Sequence, residues 1–177
     1  MFADLGVPVW DADAAVHRLY GVGGAAVAQI GELFPTAVSG GFVDREILKA
    51  WIAENDTALN KIENIVHPLV AEDRQKFIEN ADADIVLLDI PLLFETGGDK
   101  AVDTVVVVSA PADIQRARVL DRPGMTIDQL DTILAKQMPD SEKRARADFV
   151  IETTDLEQAR AAVQSCLNDI RERPNGA

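Results

Sequence analysis

The sequence predicts an α/β protein: a parallel sheet, a helical lobe inserted into it, and a helical hairpin carrying arginines over the sheet's end. Three observations lead there. Ile85-Val86-Leu87-Leu88-Asp89 and Thr104-Val105-Val106-Val107-Val108 are apolar runs without alternation, the pattern of strands covered by helices on both faces. Residues 14–80, between the first strand candidate and the run at 85–89, are almost wholly helical in pattern, far longer than a minimal crossover. Carboxylates also stand at two strand exits, Asp11 and Asp13 after Trp10, and Asp89 before Pro91. Open α/β sheets bind ligands at such exits.

The first strand is Val7-Pro8-Val9-Trp10, preceded by Phe2-Ala3-Asp4-Leu5-Gly6, which reads as the last turn of a helix with Gly6 as its C-cap. Asp11 and Asp13 share a face if the strand persists. Asp13 serves equally well as the N-cap of the next helix, so structure and chemistry compete for it. One or two helices fill 14–33, broken near Gly21-Val22-Gly23-Gly24. Gly40-Gly41 marks a turn, and Asp44 caps a helix that ends before Asn55-Asp56. A long helix follows from Thr57, with Leu59, Ile62, Ile65, Val66, Leu69 and Val70 recurring at three and four residues. Pro68 lies inside it and should kink it.

The second strand stops at Asp89, because Pro91 cannot donate to a ladder. The third, 104–108, leads to a helix over 112–120. Thr126 caps a helix from Ile127 to Met138, ended by Pro139. Asp140 to Arg146 is a short basic segment, and Asp148-Phe149-Val150-Ile151 is a fourth strand. The last helix, Leu156 to Arg171, carries Ala159, Ala162, Val163, Cys166, Leu167 and Ile170 on one face. A frayed tail from Arg173 to Ala177 is expected.

Composition narrows the function. A chain of 177 residues suits one domain with small lobes. Its net charge of −13 argues against broad binding to nucleic acid or to an anionic membrane. No long apolar run or signal peptide is present, which points to a cytoplasmic protein. A single cysteine, Cys166, rules out an intrachain disulfide and a multi-cysteine zinc site. In its apolar helical pattern a buried, inert thiol is expected. No residue set is expected to form a metal site of its own, and oligomeric state is not legible.

Local basic charge is the exception to this acidity. Arg116, Arg118, Arg122, Lys143, Arg144 and Arg146 gather between 116 and 146. Arg118 and Arg122 fall one turn apart on one helix face. For any single residue a solvated basic face is the simpler reading. As a group they suit a phosphate clamp, since guanidinium forks match phosphate oxygens. Hairpins of this kind act as closing lids in phosphoryl transfer.

These features assemble into a resemblance. Phe2-Ala3-Asp4-Leu5-Gly6, Asp11-Ala12-Asp13, Gly41-Phe42-Val43-Asp44-Arg45, Ile65-Val66-His67-Pro68, Pro91-Leu92-Leu93-Phe94-Glu95, and Gln137-Met138-Pro139 followed by Lys143 and Ala147-Asp148 occur in this order. Together they resemble the dephospho-coenzyme A kinase family through essentially the whole chain. The resemblance implies a three-layer P-loop kinase-like parallel sheet with a helical CoA-binding lobe and a helical lid. The core would be about 1–13, 81–111 and 147–177, the lobe about 14–80 and the lid about 112–146. It implies transfer of the ATP γ-phosphate to the ribose 3′-hydroxyl of dephospho-CoA, with Mg²⁺. Asp13 would take the proton of the attacking hydroxyl, with Asp11 positioning it or the magnesium. His67, Pro68, Asp89, Pro91 and Leu92 would lie along the substrate. Arg118, Arg122 and Lys143 would meet the ATP.

The sequence departs from the family pattern twice. No G-x-x-x-x-G-K-[ST] phosphate loop is present, and the dipeptide Gly-Lys occurs nowhere in the 177 residues. By the usual strand–loop–helix layout, about 20 residues, including a first strand, are expected to be missing, and the chain as written is expected to bind ATP poorly and to have little or no kinase activity. Glu152-Thr153-Thr154 also stands where relatives commonly have Asp-Asn near the adenine. Two alternatives stay open. One is a nucleoside or nucleotide kinase with another acceptor. The other is an inactive module that holds CoA or a partner.

Overall fold

A computed structural model describes residues 1–173 of the chain. It divides into two compact units, one spanning Phe2–Ile90 and the other beginning at Pro91.

In the first unit, strand β1 (Val9–Asp11) feeds helix α1 (Ala12–Tyr20), followed by α2 (Val27–Leu33). Gly6 ends a 3₁₀ turn at Ala3–Leu5 with φ 82°, so the expected C-cap is there on a shorter element. Gly24 marks the closest approach behind α1: an added Cβ would sit 2.2 Å from the Leu19 carbonyl oxygen. The stretch 14–80 is not all helix. Strands β2 (Val38–Ser39) and β3 (Phe42–Val43) form an antiparallel hairpin around Gly40-Gly41. Both glycines have positive φ, 57° and 79°, as a two-residue hairpin turn of the mirror-image type requires.

Helix α3 (Arg45–Glu54) is capped by Asp44, which accepts from Glu46 N and Ile47 N. Helix α4 (Ala58–Asn80) runs on through Pro68. Strand β4 (Leu87–Asp89) then pairs with β1 in parallel. Leu19, Ala26, Ile30, Val43, Leu48, Ile62 and Val66 form the core. Phe34 stacks on Trp51 beside it, with ring centroids 4.5 Å apart.

In the second unit, β5 (Val106–Ser109) pairs in parallel with β6 (Phe149–Glu152). Helices α5 (Ala112–Leu120), α6 (Ile127–Leu134) and α7 (Asp140–Arg146) lie between them in sequence, and α8 (Leu156–Glu172) closes the chain. Thr126 and Gln129 form a reciprocal capping box on α6. The Arg116–Asp131 pair, at 3.0 Å, ties α5 to α6 as a helical hairpin. Ala159, Val163, Cys166 and Leu167 make the buried face of α8, so the thiol is buried as expected. Burial pushes its pKa up, and Asp169 adds to the rise.

Several sequence expectations are corrected here. The run at 85–89 is strand only from Leu87, and its residues are half-buried with Asp89 exposed. Helix α5 ends at Leu120 with Asp121 as its C-cap, so Arg122 follows the helix instead of sharing a face with Arg118. Helix α6 stops at Leu134, before Met138, and Asp140–Arg146 is a regular helix. Arg173 is anchored, its guanidinium 4.7 Å over the Phe149 ring. The rest of the expected tail lies outside the described residues.

Candidate active site

Every strand residue of β1 has a partner in β4: Val9 with Leu87, Trp10 with Leu88, Asp11 with Asp89. Side chains alternate, so Trp10 is buried while Val9 and Asp11 are exposed. The parallel register sets two carboxylates side by side at the carboxyl ends of both strands. The strand stops at Asp11, and Asp11 is the N-cap of α1: its Oδ1 accepts from Ala14 N at 2.9 Å. Asp13 is therefore not the N-cap. Asp13 lies in the first turn of α1, where the helix dipole favours an anion. Its side chain makes no hydrogen bond or ion pair among the described residues.

Asp89 reports the crowding of charge at this tip. Its pKa is raised, first by partial burial and then by the charges of Asp11 and Asp13. Among the described residues, no group of three or more acidic, His or Cys side chains is arranged to hold a metal by itself. The donor set is hard oxygen only. It suits a Mg²⁺ that brings phosphate oxygens and waters with it and takes one or two protein carboxylates.

Behind the tip, a hydrogen-bonded network that the sequence reading missed ties three elements together. Asp73, on α4, accepts at Oδ1 from the Trp10 indole Nε1 at 2.7 Å and from Arg18, on α1, at 2.6 Å. These groups border a cavity of about 520 Å³ that also takes in Lys76 and Phe77. Burial pushes Asp73 up, but the indole, the guanidinium and the Arg18 and Lys76 charges outweigh it and hold the carboxyl below its usual range. His67 and Pro68 lie on the exposed side of α4, opposite Ile62 and Val66.

In the second unit, Pro91 and Leu92 are exposed. Arg118 grips Thr153: its guanidinium donates to the hydroxyl at 2.9 Å and to the main-chain oxygen at 2.6 Å. Arg122 is exposed in the turn after α5, with no side-chain partner among the described residues. Lys143 is paired with Glu95 at 2.9 Å. At the carboxyl ends of β5 and β6, a cavity of about 370 Å³ is bordered by Pro111, Asp140, Arg144 and Glu152. Buried Ser109 donates to Asp140 beside it. Glu95 belongs to the Pro91-Leu92-Leu93-Phe94-Glu95 segment, yet nothing local marks its role, because its partners Met138 and Lys143 lie far along the chain.

A parallel β–α unit with carboxylates gathered at its strand tips, in a chain that also carries an arginine-bearing helical hairpin, has the equipment of an α/β phosphotransferase. Comparison with known proteins narrows that class. The family model for dephospho-CoA kinase matches residues 1–158. The dephospho-CoA kinase of Cereibacter sphaeroides is 56% identical over 172 residues, covering 97% of this chain and 87% of that protein. That of Ruegeria pomeroyi is 57% identical over 171 residues, with the same coverage. Among solved structures, TT1252 from Thermus thermophilus superposes with a TM-score of 0.80 at 30% identity, over 99% of this chain and 88% of that one. The dephospho-CoA kinase from Campylobacter jejuni shares the fold, with a TM-score of 0.68 at 22% identity over 95% of this chain and 87% of that one. The chain belongs to the dephospho-CoA kinase family, and its α/β fold is P-loop kinase-like. Among the described residues, no helix is long and apolar enough to cross a membrane.

Proposed function

We propose that the chain phosphorylates the ribose 3′-hydroxyl of dephospho-CoA with ATP, using Asp13 as the general base. The observation that carries this is the gathering of Asp11, Asp13 and Asp89 at the tips of β1 and β4. A ribose hydroxyl is a weak acid, and its proton needs a placed acceptor as the phosphoryl group arrives. Asp11 is committed to capping α1, while Asp13 is on a rigid helical turn with its oxygens unengaged. Asp11 and Asp89 would supply oxygen ligands to Mg²⁺, which neutralises charge on the ATP phosphates when bound.

Arg118, Arg122 and Lys143 are assigned to those phosphates, with residues 112–146 as the lid. The stretch 14–80, with His67 and Pro68 on the exposed side of α4, is assigned to the CoA moiety, and Pro91 and Leu92 to its approach. The phosphate cradle itself requires a Gly-x-x-x-x-Gly-Lys segment, which these residues do not contain.

The test is a coupled ADP-release assay with dephospho-CoA, AMP, adenosine and shikimate as competing acceptors. It is run on the 177-residue chain and on the same chain extended by a strand, phosphate loop and helix. The extended chain should turn over fastest with dephospho-CoA. Asp13→Asn in it should lower kcat by about 10²–10⁴-fold at similar KM, the usual share of a general base. Normal turnover by that variant would remove Asp13 from the role. Dephospho-CoA binding with no turnover in either chain would favour a binding module.

A further inference from the structure

We propose that Asp73 is a positioning residue for the acidic tip, clamping the segment that carries Asp11 and Asp13 from both sides. This rests on the reading of Asp13 as the base. Trp10 immediately precedes the two carboxylates, and Arg18 follows them on the same short helix. Both donate to one oxygen of Asp73, at 2.7 and 2.6 Å, across sequence separations of 63 and 55. A single atom on α4 therefore fixes the start and the far end of the β1–α1 junction.

The chemistry makes this a restraint of some stiffness. Trp10 is 3% exposed, so its indole N–H has little water to turn to, and leaving a buried donor unpaired is costly. Both bonds are charge-assisted and short, which makes them among the stronger kinds. Helix α1 transmits the restraint because its hydrogen-bonded backbone does not bend over so few residues. The same pairing neutralises Arg18. Displacing a base by about 1 Å is enough to cost on the order of a hundredfold in rate, so a clamp behind it has direct catalytic leverage. Asp73 itself touches no reacting group. Arg18 and Lys76 do not make the adjoining cavity a free anion site, since each is already paired with a carboxylate.

The experiment compares Asp73→Ala, Asp73→Asn, Asp73→Glu and Trp10→Phe in the loop-extended chain. Trp51→Phe is added to the Asp73 variants so that emission reports Trp10 alone. In Asp73→Ala, kcat should fall by about tenfold or more, with KM for dephospho-CoA held within about twofold. Trp10 emission should move, and far-ultraviolet circular dichroism should stay unchanged. Asp73→Glu, which keeps the charge and the acceptor, should recover more of the rate than Asp73→Asn. Trp10→Phe keeps the ring and loses the N–H, and it should show part of the same kcat loss. If Trp10 emission moves while kcat stays within about twofold in Asp73→Ala and Trp10→Phe, the proposal is overturned and Asp73 is structural only. A rise in KM with kcat unchanged overturns it too. Should Asp73→Ala unfold, Trp10→Phe decides on kcat alone. Asp13→Asn, run alongside, separates the two ideas. Full activity there refutes the base; loss there with full activity in the Asp73 series refutes the clamp.

Discussion

Glu95 and Lys143 hold one another at 2.9 Å, with both side chains largely buried. The same oxygen, Oε1, accepts Met138 N at 2.8 Å, while Oε2 is buried without a partner. One turn further along α7 the arrangement repeats: Arg146 pairs with Asp99 at 2.5 Å and lies 4.5 Å over the Phe94 ring. The segment 94–99 therefore clasps the root of α7 by charge, main chain and ring together. Glu95→Ala should cost on the order of 2–3 kcal/mol, because it strands a largely buried ammonium and a backbone donor. For a chain of this size that is a fall in Tm of roughly 5–10 °C. The carboxyl of Glu95 feels burial first, which raises its pKa, but Lys143, the Met138 amide and its own amide bring it below its usual value. A depressed pKa contributes stability above the unfolded value and loses it as pH falls. Thermal scans of Glu95→Ala and the parent should thus differ most near neutrality and converge in acid. A difference independent of pH would assign the loss to packing alone.

The β2–β3 hairpin gives a second test. Gly41 has a φ of 79°, in the left-handed region where a Cβ crowds the following carbonyl. Gly41→Ala should destabilise by about 1–2 kcal/mol, and Gly41→Asn by less, since asparagine tolerates that region. Chemical denaturation midpoints measure both. Equal stability for Gly41→Ala would mean that the turn relaxes to another type.

What the sequence revealed and what it hid follow from the range of the interactions. Helix α4 was legible because Ile62, Val66 and their neighbours repeat locally at helical spacing. The acidic strand exits were legible because Pro91 and the N-cap chemistry after Trp10 are local punctuation. The hairpin was hidden because two-residue strands are too short to show alternation, though its glycine turn was visible. Arg122 was placed on one face with Arg118 by spacing alone, although the helix expected over 112–120 stops short of it and Asp121 caps α5 there. Asp73 and Glu95 were hidden for a different reason. Their partners are brought to them by the fold across 63 and 43 residues, and nothing periodic connects such positions in a single sequence.

Charge crowding at the strand tips should make Asp89 unfavourable for stability. Its pKa is raised by burial and by Asp11 and Asp13, so its contribution is best below the unfolded value and is lost as pH rises through the folded one. At neutral pH the ionised group opposes folding. Asp89→Asn should therefore stabilise the ligand-free protein at neutral pH by no more than about 0.5 kcal/mol, because Asp89 is exposed and screened by solvent. The gain should shrink with added salt and vanish as pH falls well below the ordinary aspartate value, to about pH 2–3, where the parent's carboxyl is protonated in both states. The same variant should raise the Mg²⁺ concentration needed for half-maximal turnover in the loop-extended chain. Differential scanning calorimetry at two salt concentrations and a magnesium titration measure the two effects. A destabilised Asp89→Asn would show that the carboxylate is satisfied rather than repelled.

Arg118 and Arg122 share a proposed role but differ in their surroundings, which allows their contributions to be separated. Arg118 spreads two donors over the hydroxyl and main-chain oxygen of Thr153, a two-point grip that a lysine ammonium does not reproduce. Arg122 has no side-chain partner among the described residues, so in the ligand-free protein it has nothing to lose. Arg122→Lys should leave Tm unchanged and raise KM for ATP by about 5–10-fold, the loss of one bidentate phosphate contact. Arg118→Lys should raise KM for ATP similarly and also lower Tm by a few degrees at most, since its contacts are exposed. Thr153→Val removes the hydroxyl end of the grip together with that hydroxyl's own bond to the Ser109 carbonyl at 3.1 Å, so it should lower Tm while changing KM for ATP less than Arg118→Lys does. Steady-state kinetics in the loop-extended chain, isothermal titration with ATP and thermal scans on the three variants read KM, ATP binding and Tm. If Arg122→Lys binds ATP as the parent does while Arg118→Lys loses only stability, the two arginines are surface and anchor residues, and the phosphate clamp must lie elsewhere.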